Sequence, residues 1–170
     1  NNNTLTYHYN TIGELEKITV TLPDSTQYDA RTVDTRDEFG RITKITEYNG
    51  PADPTDNVIT EYEYYPDSNN VHFEKTTYKG STYKVEYTYD ADGRLQTITY
   101  PSGEVLKFNY TAEGYVDIIY YNWVNDSTYT VIADYDYDAD RVSLKRLGSN
   151  IITSQYTSDH RDFLTDELVY

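Results

Sequence analysis

A nine-residue pattern that recurs along the chain constrains the fold more than any other feature. Its fullest copy runs from Tyr87 to Leu95 and reads Tyr-Thr-Tyr-Asp-Ala-Asp-Gly-Arg-Leu. Degraded copies occupy residues 7–15, 37–42, 110–116 and 135–142. Self-similarity of this kind indicates units that cannot bury their own apolar faces and must stack on their neighbours. The sequence therefore predicts a repeat array.

The distance between copies indicates the size of one repeat. Gly93 and Gly114 are 21 residues apart, and Gly13 and Gly40 are 27 residues apart. Two strands of about five or six residues, with two short turns, fill roughly twenty residues. Each repeat is therefore predicted to be one β-hairpin, and residues 1–170 to be a single domain of about six to seven hairpins.

The residues around the fullest copy alternate as in a half-buried strand. From Tyr83 to Tyr89, apolar or aromatic residues mostly hold the odd positions and polar residues the even ones. The Asp-Ala-Asp-Gly that follows is typical of a hairpin turn, with a return strand at 95–100. A Pro-Ser-Gly at 101–103 predicts the next turn, into a strand at 104–110. We therefore predict an all-β fold of tandem antiparallel β-hairpin repeats forming one twisted, curved, meandering sheet.

The order of these residues resembles the YD-repeat family, also called Rhs repeats. The likeness is close over one repeat and loose over the remaining chain. In the first copy Asn10 replaces the aspartate, and in the last copy Arg141 follows Asp140 without a glycine. The matching positions are Tyr89, Asp90, Gly93, Arg94, Leu95, Pro101, Gly103 and Tyr110.

This resemblance implies a fold and a role. Proteins of the family use the repeats as consecutive hairpins of a long spiralling sheet, which closes into a hollow shell in large toxin complexes and teneurin-type adhesion proteins. A chain of 170 residues is too short for such a shell, and no self-cleaving segment or toxic cargo domain is recognisable in it. The resemblance thus implies diverged short repeats in a bacterial surface protein.

The net charge restricts the partners. With 29 acidic and 14 basic residues, the formal charge is −15, which repels nucleic-acid backbones and anionic membrane surfaces. No segment has the roughly 20 consecutive apolar residues of a membrane-spanning helix, so we predict no membrane insertion. Proteins, neutral glycans and cations are the partners that this charge favours. Cysteine is absent, which excludes disulfides and thiolate chemistry.

The amino terminus and the composition bear on localisation. The chain begins with Asn1 and contains no methionine. A removed signal segment explains such a start, and trimming explains it equally well. Richness in Asn, Thr, Asp and Tyr is typical of extracytoplasmic proteins. We therefore predict a secreted or cell-surface protein, with a lipid anchor on a removed N-terminal segment as one form of attachment.

Tyrosine dominates the aromatic residues, with 21 Tyr beside four Phe and one Trp. A Tyr ring offers apolar contact while its hydroxyl needs water or a partner, so these residues suit a partly buried sheet. Packing within the repeats explains most of them, since strands favour aromatic residues. For Trp123, the only tryptophan, burial in the core is the simpler expectation. Some could instead form a stacking platform for sugar rings. Neighbours on a strand face opposite sides, so the candidates for ligand binding are Tyr64, Tyr65, Tyr121 and Trp123.

Acidic residues invite a metal hypothesis, with four aspartates alternating at positions 134, 136, 138 and 140. An EF-hand counted from Asp136 would need Gly and Glu where the chain has Arg141 and Leu147. Alternate residues on a strand share one face and can simply be solvated. We predict no metal and no cofactor, with a calcium site as the alternative.

Catalysis has weaker support. Residues 158–162 read Ser-Asp-His-Arg-Asp, which are triad residue types, but contiguity does not predict a triad, and a polar loop explains the segment. Carboxylate pairs of the glycosidase kind depend on the fold and stay open. Because no motif joins nucleophile, base and orienting group, we predict that the chain is not an enzyme.

Two functions remain. The first is a scaffold or interaction module, which binds a protein partner or a second copy through open sheet edges, including the terminal run Phe163–Tyr170. The alternative is a glycan-binding surface protein that uses Tyr and Trp platforms.

Overall fold

The computed structural model describes residues 2–50, 56–124, 126–139, 141–148, 152–158 and 164–169. Within these ranges the chain forms fourteen β-strands and no α-helix. The strands are hydrogen-bonded in the order of the chain, as in a meander. The predicted all-β fold of tandem antiparallel hairpins is therefore confirmed. No helix in the described part is long and apolar enough to span a membrane.

The strand bounds match the repeat pattern. Fourteen strands in the described residues correspond to seven hairpins, at the upper end of the six to seven that the repeat spacing predicts. The strands are β1 Thr4–Tyr9, β2 Leu15–Thr21, β3 Gln27–Arg36, β4 Ile42–Glu47, β5 Val58–Tyr64, β6 Val71–Tyr78, β7 Ser81–Tyr89, β8 Leu95–Thr99, β9 Val105–Tyr110, β10 Val116–Asn122, β11 Thr130–Asp138, β12 Arg141–Leu147, β13 Ile152–Ser158 and β14 Leu164–Val169.

The chain divides into two compact units, Asn1–Val85 and Glu86–Tyr170. The boundary falls inside β7. In the first unit Val20 is 6% exposed on β2, and in the second Ala133 is 5% exposed on β11. No other apolar side chain in the described part is as deeply buried. Both units therefore have a shallow core, which suits rings whose hydroxyl groups reach water or a nearby carbonyl.

The predicted turns form as expected. The Asp90 N–H donates to the Arg94 carbonyl at 2.9 Å, and the Gly93 N–H donates to the Asp90 carbonyl at 3.0 Å. In the turn between β8 and β9, the Tyr100 N–H donates to the Glu104 carbonyl at 2.9 Å. This bond makes residues 100 and 104 part of the turn. Strands β8 and β9 are therefore one residue shorter on that side than predicted.

A register shift recurs at the carboxyl end of the odd-numbered strands. The pairing slips by one residue just before Tyr9, Arg36, Tyr64, Tyr89 and Tyr137. Such bulges bend a strand and redirect the side chain that follows. Each of these positions lies at the end of its strand or one residue before it, beside a hairpin turn.

Several predicted segments are only partly described. The irregular loop at 49–57 and the polar run at 158–162 include residues 51–55 and 159–163, which lie outside the described ranges. The terminal run is described at 164–169, where it forms β14 and pairs with β13. The prediction of one domain over residues 1–170 stays a prediction.

Candidate functional site

The best-preserved repeat is organised around Asp90. Its Oδ1 accepts hydrogen bonds from the backbone N–H groups of Asp92 at 3.0 Å and Arg94 at 2.9 Å. Its Oδ2 accepts a bond of 2.7 Å from the Arg94 Nε. An aspartate at this position can reach those donors because they lie two and four residues ahead in the turn. One carboxylate thus fixes both the turn and the arginine that ends it.

Arg94 links this turn to strand β9. Its guanidinium carbon lies 4.8 Å from the centroid of the Tyr110 ring, a cation–π contact. The Tyr110 hydroxyl then donates a 2.6 Å hydrogen bond to the Leu95 carbonyl. Tyr110 ends β9 and Leu95 begins β8, so the tyrosine closes the open end of that strand pair. We call the arrangement of Asp90, Arg94, Leu95 and Tyr110 a turn clasp.

A second turn clasp forms in the first unit. Arg41 pairs with Asp37 through Nε and Oδ2 at 2.6 Å, and its guanidinium carbon lies 4.5 Å from the Tyr64 ring centroid. The Tyr64 hydroxyl donates to the Ile42 carbonyl at 2.8 Å. Arg41 also donates to the Ser68 carbonyl in the following turn. This clasp therefore holds two successive turns together.

A third turn clasp replaces the arginine by a ring. Tyr115 stacks on Tyr137 with a centroid distance of 5.0 Å and an interplanar angle of 24°. The Tyr137 hydroxyl donates to the Val116 carbonyl at 2.6 Å. The turn still closes, because the Thr111 N–H donates to the Tyr115 carbonyl at 2.8 Å. Aromatic stacking thus takes the part that the cation–π contact plays in the clasps of Arg41 and Arg94.

A fourth turn clasp, in the first repeat of the chain, exchanges the roles of the partners. Asn10 Oδ1 accepts from the N–H groups of Ile12 and Glu14, as the aspartate does elsewhere. Glu14 stands where two of the other clasps have arginine, and its carboxylate lies 3.6 Å from the Arg36 Nε. Arg36 stands where the others have tyrosine, and its Nη2 donates to the Leu15 carbonyl at 3.1 Å. The geometry is conserved inside the chain although the residue types differ.

The clasps shift the pKa values of their members. Partial burial pushes the pKa of Asp90 upward, but hydrogen bonds from Arg94 and Asp92 outweigh it, and the pKa lies below its ordinary value. The same balance lowers the pKa of Asp37. Desolvation and the neighbouring Asp90 charge raise the pKa of Tyr110. At neutral pH the clasps built on Asp90 and Asp37 therefore each hold a charged carboxylate and a neutral phenol.

Comparison with known proteins agrees with this repeat geometry. Residues 74–105, which include the turn from Asp90 to Leu95, match the family model described as RHS Repeat. The resemblance to the Rhs-repeat family is confirmed there. No match was found among curated protein sequences.

Solved structures share the fold of this Rhs-type array. The crystal structure of TcdB2-TccC3 without its hypervariable C-terminal region aligns with a TM-score of 0.78 and 15% identity, and so does that of TcdB2-TccC3-Cdc42. A Tc holotoxin pore of Photorhabdus luminescens aligns with a TM-score of 0.74 and 16% identity. Each alignment covers 98% of this chain and 9% of the other chain. This chain therefore spans about a tenth of the length of these relatives.

The predicted ligand residues of the first unit belong to the packing of the repeat. Tyr64 uses its hydroxyl and one face of its ring in a turn clasp. Tyr65 is half-buried, and its ring centroid lies 4.8 Å from that of His72. Both rings thus make contacts within the repeat, and their part in ligand binding stays a prediction.

The predicted ligand residues of the second unit include an exposed ring. Trp123 follows β10 and is 60% exposed, and the Tyr121 ring meets it edge-on with a centroid distance of 4.5 Å. The neighbouring Val124 is 43% exposed. Core burial of Trp123, the simpler expectation for a lone tryptophan, is thus not observed. Tyr121 and Trp123 lie together, whereas Tyr64 and Tyr65 belong to the other unit.

Two of the alternating aspartates on β11 pair with an arginine of the neighbouring strand. Arg146 on β12 reaches Asp134 through Nη2 and Oδ1 at 3.0 Å, and Asp136 through Nη1 and Oδ2 at 2.8 Å. These bonds, first to Asp136 and then to Asp134, raise the pKa of Arg146. Among the described residues no three Asp, Glu or His side chains are grouped as metal ligands. Charge pairing on the sheet explains the two aspartates of the alternating run that face Arg146.

A polar cluster on the first three strands has no sequence signal. The Thr19 hydroxyl donates to Asp29 Oδ1 at 3.0 Å, so it accepts from the His8 Nε2–H at 2.9 Å. Lys17 Nζ lies 3.2 Å from the same Asp29 oxygen. The members come from three strands and meet only through the sheet register. These contacts join β1, β2 and β3, and the cluster stabilises their pairing.

Proposed function

We propose that this chain is a non-enzymatic, extracytoplasmic scaffold of a bacterial surface, whose Rhs-type hairpins present strands and loops to other protein chains. The observation that carries the proposal is the turn clasp, which occurs four times in the described residues. In each clasp, a polar side chain near the end of one strand donates to the first carbonyl of a neighbouring strand and so holds the adjacent turns together. Residues that could act on a substrate are used to keep the hairpins in register.

Charge and likeness support a protein partner. The chain carries a net charge of −15, which disfavours nucleic acid and anionic lipid. The structures that share its fold are multi-protein assemblies by their names, including TcdB2-TccC3-Cdc42. At 15% identity the likeness extends to the fold, and assembly with other proteins is part of our proposal for this chain.

The test of this function is made in the cell that produces the protein. Protease added outside intact cells should cleave the chain, and cross-linking before lysis should give a covalent adduct with one defined protein or with a second copy. The proposal would be overturned if protease outside the cell leaves the chain intact and cross-linking yields no adduct.

A second candidate is glycan binding at Tyr121 and Trp123. The specific observation in its favour is the exposed Trp123 ring, which the Tyr121 ring meets edge-on. Aromatic faces of this kind stack on the apolar faces of sugar rings, and a neutral oligosaccharide avoids the charge repulsion.

Trp123 is the only tryptophan and therefore reports directly on its own surroundings. A neutral oligosaccharide that binds there should quench its fluorescence in a saturable manner. In calorimetry, Trp123→Ala should abolish the heat of binding, and Tyr83→Ala, at a tyrosine that is 53% exposed in the other unit, should leave it unchanged. Constant emission across a panel of glycans would exclude this candidate.

A further inference from the structure

A glutamate lies beside a tyrosine at the turn that joins β8 to β9. Val105 of β9 pairs with Thr99 of β8. One residue further into the turn, the Tyr100 N–H donates to the Glu104 carbonyl at 2.9 Å. Because residues that face each other across antiparallel strands place their side chains on the same face, the Glu104 carboxylate shares a face with the Tyr100 ring. Tyr100 is 37% exposed, and Glu104 is half-buried.

Two more rings lie on the other side of Glu104. Tyr121 of β10 pairs with Leu106 of β9, so the same antiparallel register places Trp123 at the level of Glu104. The Trp123 and Tyr121 rings meet edge-on with a centroid distance of 4.5 Å, which puts both on one face. Desolvation, followed by the charge of Glu104, raises the pKa of Tyr121, so this carboxylate lies near the rings of β10. We call Tyr100, Glu104, Tyr121 and Trp123 the aromatic notch.

The two turns that carry the aromatic notch lie against each other. A Cβ added at Gly103 would be 3.7 Å from Val124 Cγ2, an ordinary contact distance. The notch is nevertheless open to solvent, since Trp123 is 60% exposed and Val124 is 43% exposed. Within the described residues, the Glu104 carboxylate makes no ion pair and no hydrogen bond. The notch therefore presents a carboxylate and aromatic faces together on the surface.

The turn clasps indicate which group fits between a carboxylate and a ring. Arg94 donates to the Asp90 carboxylate at 2.7 Å, and its guanidinium carbon lies 4.8 Å from the Tyr110 ring centroid. The clasp of Arg41 combines the same three groups. A guanidinium suits both contacts, because its planar fork pairs with a carboxylate and its face stacks on an aromatic ring. The aromatic notch has the carboxylate and the rings, and in the described part of the chain no basic side chain lies on them.

We propose that the aromatic notch binds an arginine side chain from a basic segment of a partner protein. The proposal rests on the scaffold function and deepens it by naming the chemistry of a partner at one site. The guanidinium pairs with Glu104 and lies against the Trp123 ring, with Tyr100 on the other side. The net charge of −15 attracts a basic segment from a distance. A neutral glycan would use the rings without the carboxylate, so Glu104 distinguishes the two ligands.

The first test is a fluorescence titration of the full chain, because Trp123 is the only tryptophan and lies in the notch. The probe is a peptide of alternating glycine and arginine with blocked ends, and the control peptide has citrulline, a neutral isostere, in place of arginine. We expect a saturable change of Trp123 emission with the arginine peptide and none with the citrulline peptide. Salt should weaken the binding, since the screening length falls from about 10 Å at 0.1 M to about 3 Å at 1 M.

Two glutamate variants separate local pairing from overall charge. Glu104→Gln removes the carboxylate of the notch and should weaken binding of the arginine peptide by roughly threefold, as for a partly exposed ion pair. Glu113→Gln removes the same charge from the turn at the other end of β9 and should leave the affinity unchanged. Tyr100→Ala should weaken binding by a similar factor, whereas Tyr83→Ala, in the other unit, should not. Far-UV circular dichroism establishes that the variants are folded.

The outcomes separate this proposal from the scaffold function. Equal affinities of the Glu104→Gln and Glu113→Gln chains, or equal binding of the arginine and citrulline peptides, would overturn the arginine site. Saturable quenching by a neutral oligosaccharide, with no response to the arginine peptide, would also overturn it and assign the rings to glycan binding. In the producing cell, the cross-linked protein adduct should diminish in Glu104→Gln and persist in Glu113→Gln. An adduct that persists in both variants would exclude the notch as the contact and leave the scaffold function standing.

Discussion

The Tyr110 hydroxyl donates a 2.6 Å hydrogen bond to the Leu95 carbonyl, and the Arg94 guanidinium covers the Tyr110 ring with its central carbon 4.8 Å from the centroid. Leu95 is the first residue of β8 and Tyr110 the last of β9, so the bond lies where the ladder between the two strands ends. A carbonyl at such an end has lost its strand partner and needs another donor. The repeat supplies that donor from the side chain that ends the next strand.

Removing this hydroxyl should destabilise the protein measurably. Tyr110→Phe keeps the ring beneath Arg94 but leaves the half-buried Leu95 carbonyl without its donor, which should lower the free energy of unfolding by about 1 kcal/mol. The control is Tyr129→Phe, whose hydroxyl makes no hydrogen bond among the described residues and should cost less than about 0.5 kcal/mol. Urea denaturation followed by Trp123 fluorescence measures both. Equal effects would show that the Tyr110 hydroxyl has no special role.

The turn glycines test backbone strain separately from packing. Gly114 has φ +94°, and a Cβ added there would lie 3.7 Å from Arg94 Nη1, an ordinary contact. Gly114→Ala should therefore be destabilising through its backbone conformation, by about 1 kcal/mol. Gly114→Asn should cost less, because asparagine tolerates positive φ better than alanine. If the larger asparagine costs more than alanine in denaturant unfolding, crowding and not strain governs the site.

The turn between β9 and β10 contains an unsatisfied polar group that a substitution could correct. Thr111 stands where other copies have aspartate or asparagine, and its hydroxyl oxygen is buried without a hydrogen-bond partner. Asn10 accepts from N–H groups two and four residues ahead at 3.0 and 2.9 Å, which an asparagine at 111 could reproduce. Thr111→Asn should therefore raise the free energy of unfolding by about 0.5–1 kcal/mol. Thr111→Val is the control, since it removes the polar atom without adding an acceptor. The replacement fails as a repair if both variants have the same midpoint in urea.

The Asp90 carboxylate should make stability depend on acid pH. Its folded pKa is below the ordinary 3.8, so its contribution is complete above that value and disappears as pH falls through the folded pKa. Asp90→Asn keeps an acceptor for the turn N–H groups but has no charge to titrate. The Tm difference between the original chain and this variant should therefore be constant from pH 7 to about pH 5 and shrink below pH 4. A difference that persists unchanged at pH 2 would show that the Asp90 charge is not the source of the stabilisation.

The turns and strands were predictable because their signals are local. Asp90 and Gly93 provide turn chemistry within four residues, and the alternation from Tyr83 to Tyr89 gives the strand directly. The array and its resemblance to Rhs repeats follow from repetition of these local signals. The fold class could therefore be read from the chain before any long-range contact was known.

The clasps could not be predicted because their partners are distant in sequence and vary in type. Arg36 reaches the Leu15 carbonyl across 21 residues, where the three other clasps use tyrosine. The register shift before Arg36 decides where its side chain points, and no residue type marks that shift. The exposed Trp123 is a similar case, since the turn that follows β10 sets its exposure. The letters alone favoured its burial in the core.

The exchanged clasp in the first repeat gives the sharpest test of the arrangement. Glu14 and Arg36 occupy the positions that Arg94 and Tyr110 hold in the best-preserved copy. Glu14→Arg alone should destabilise the chain, because it places a second guanidinium against Arg36 in a half-buried position. Arg36→Tyr alone should also destabilise it, since the Glu14 carboxylate then faces the π-electrons of the ring.

The double variant Glu14→Arg with Arg36→Tyr rebuilds the cation–π clasp and should recover much of both losses. A double-mutant cycle in urea should thus give a favourable coupling of about 0.5–3 kcal/mol, in the range of contacting residues. The pair Lys17→Arg with Arg36→Tyr serves as the control cycle, because Lys17 pairs with Asp29 and not with Arg36. Additive losses in the Glu14 cycle would mean that the two positions do not form an equivalent clasp. Coupling there, with additivity in the control, would mean that the repeat specifies a geometry that different residue pairs can satisfy.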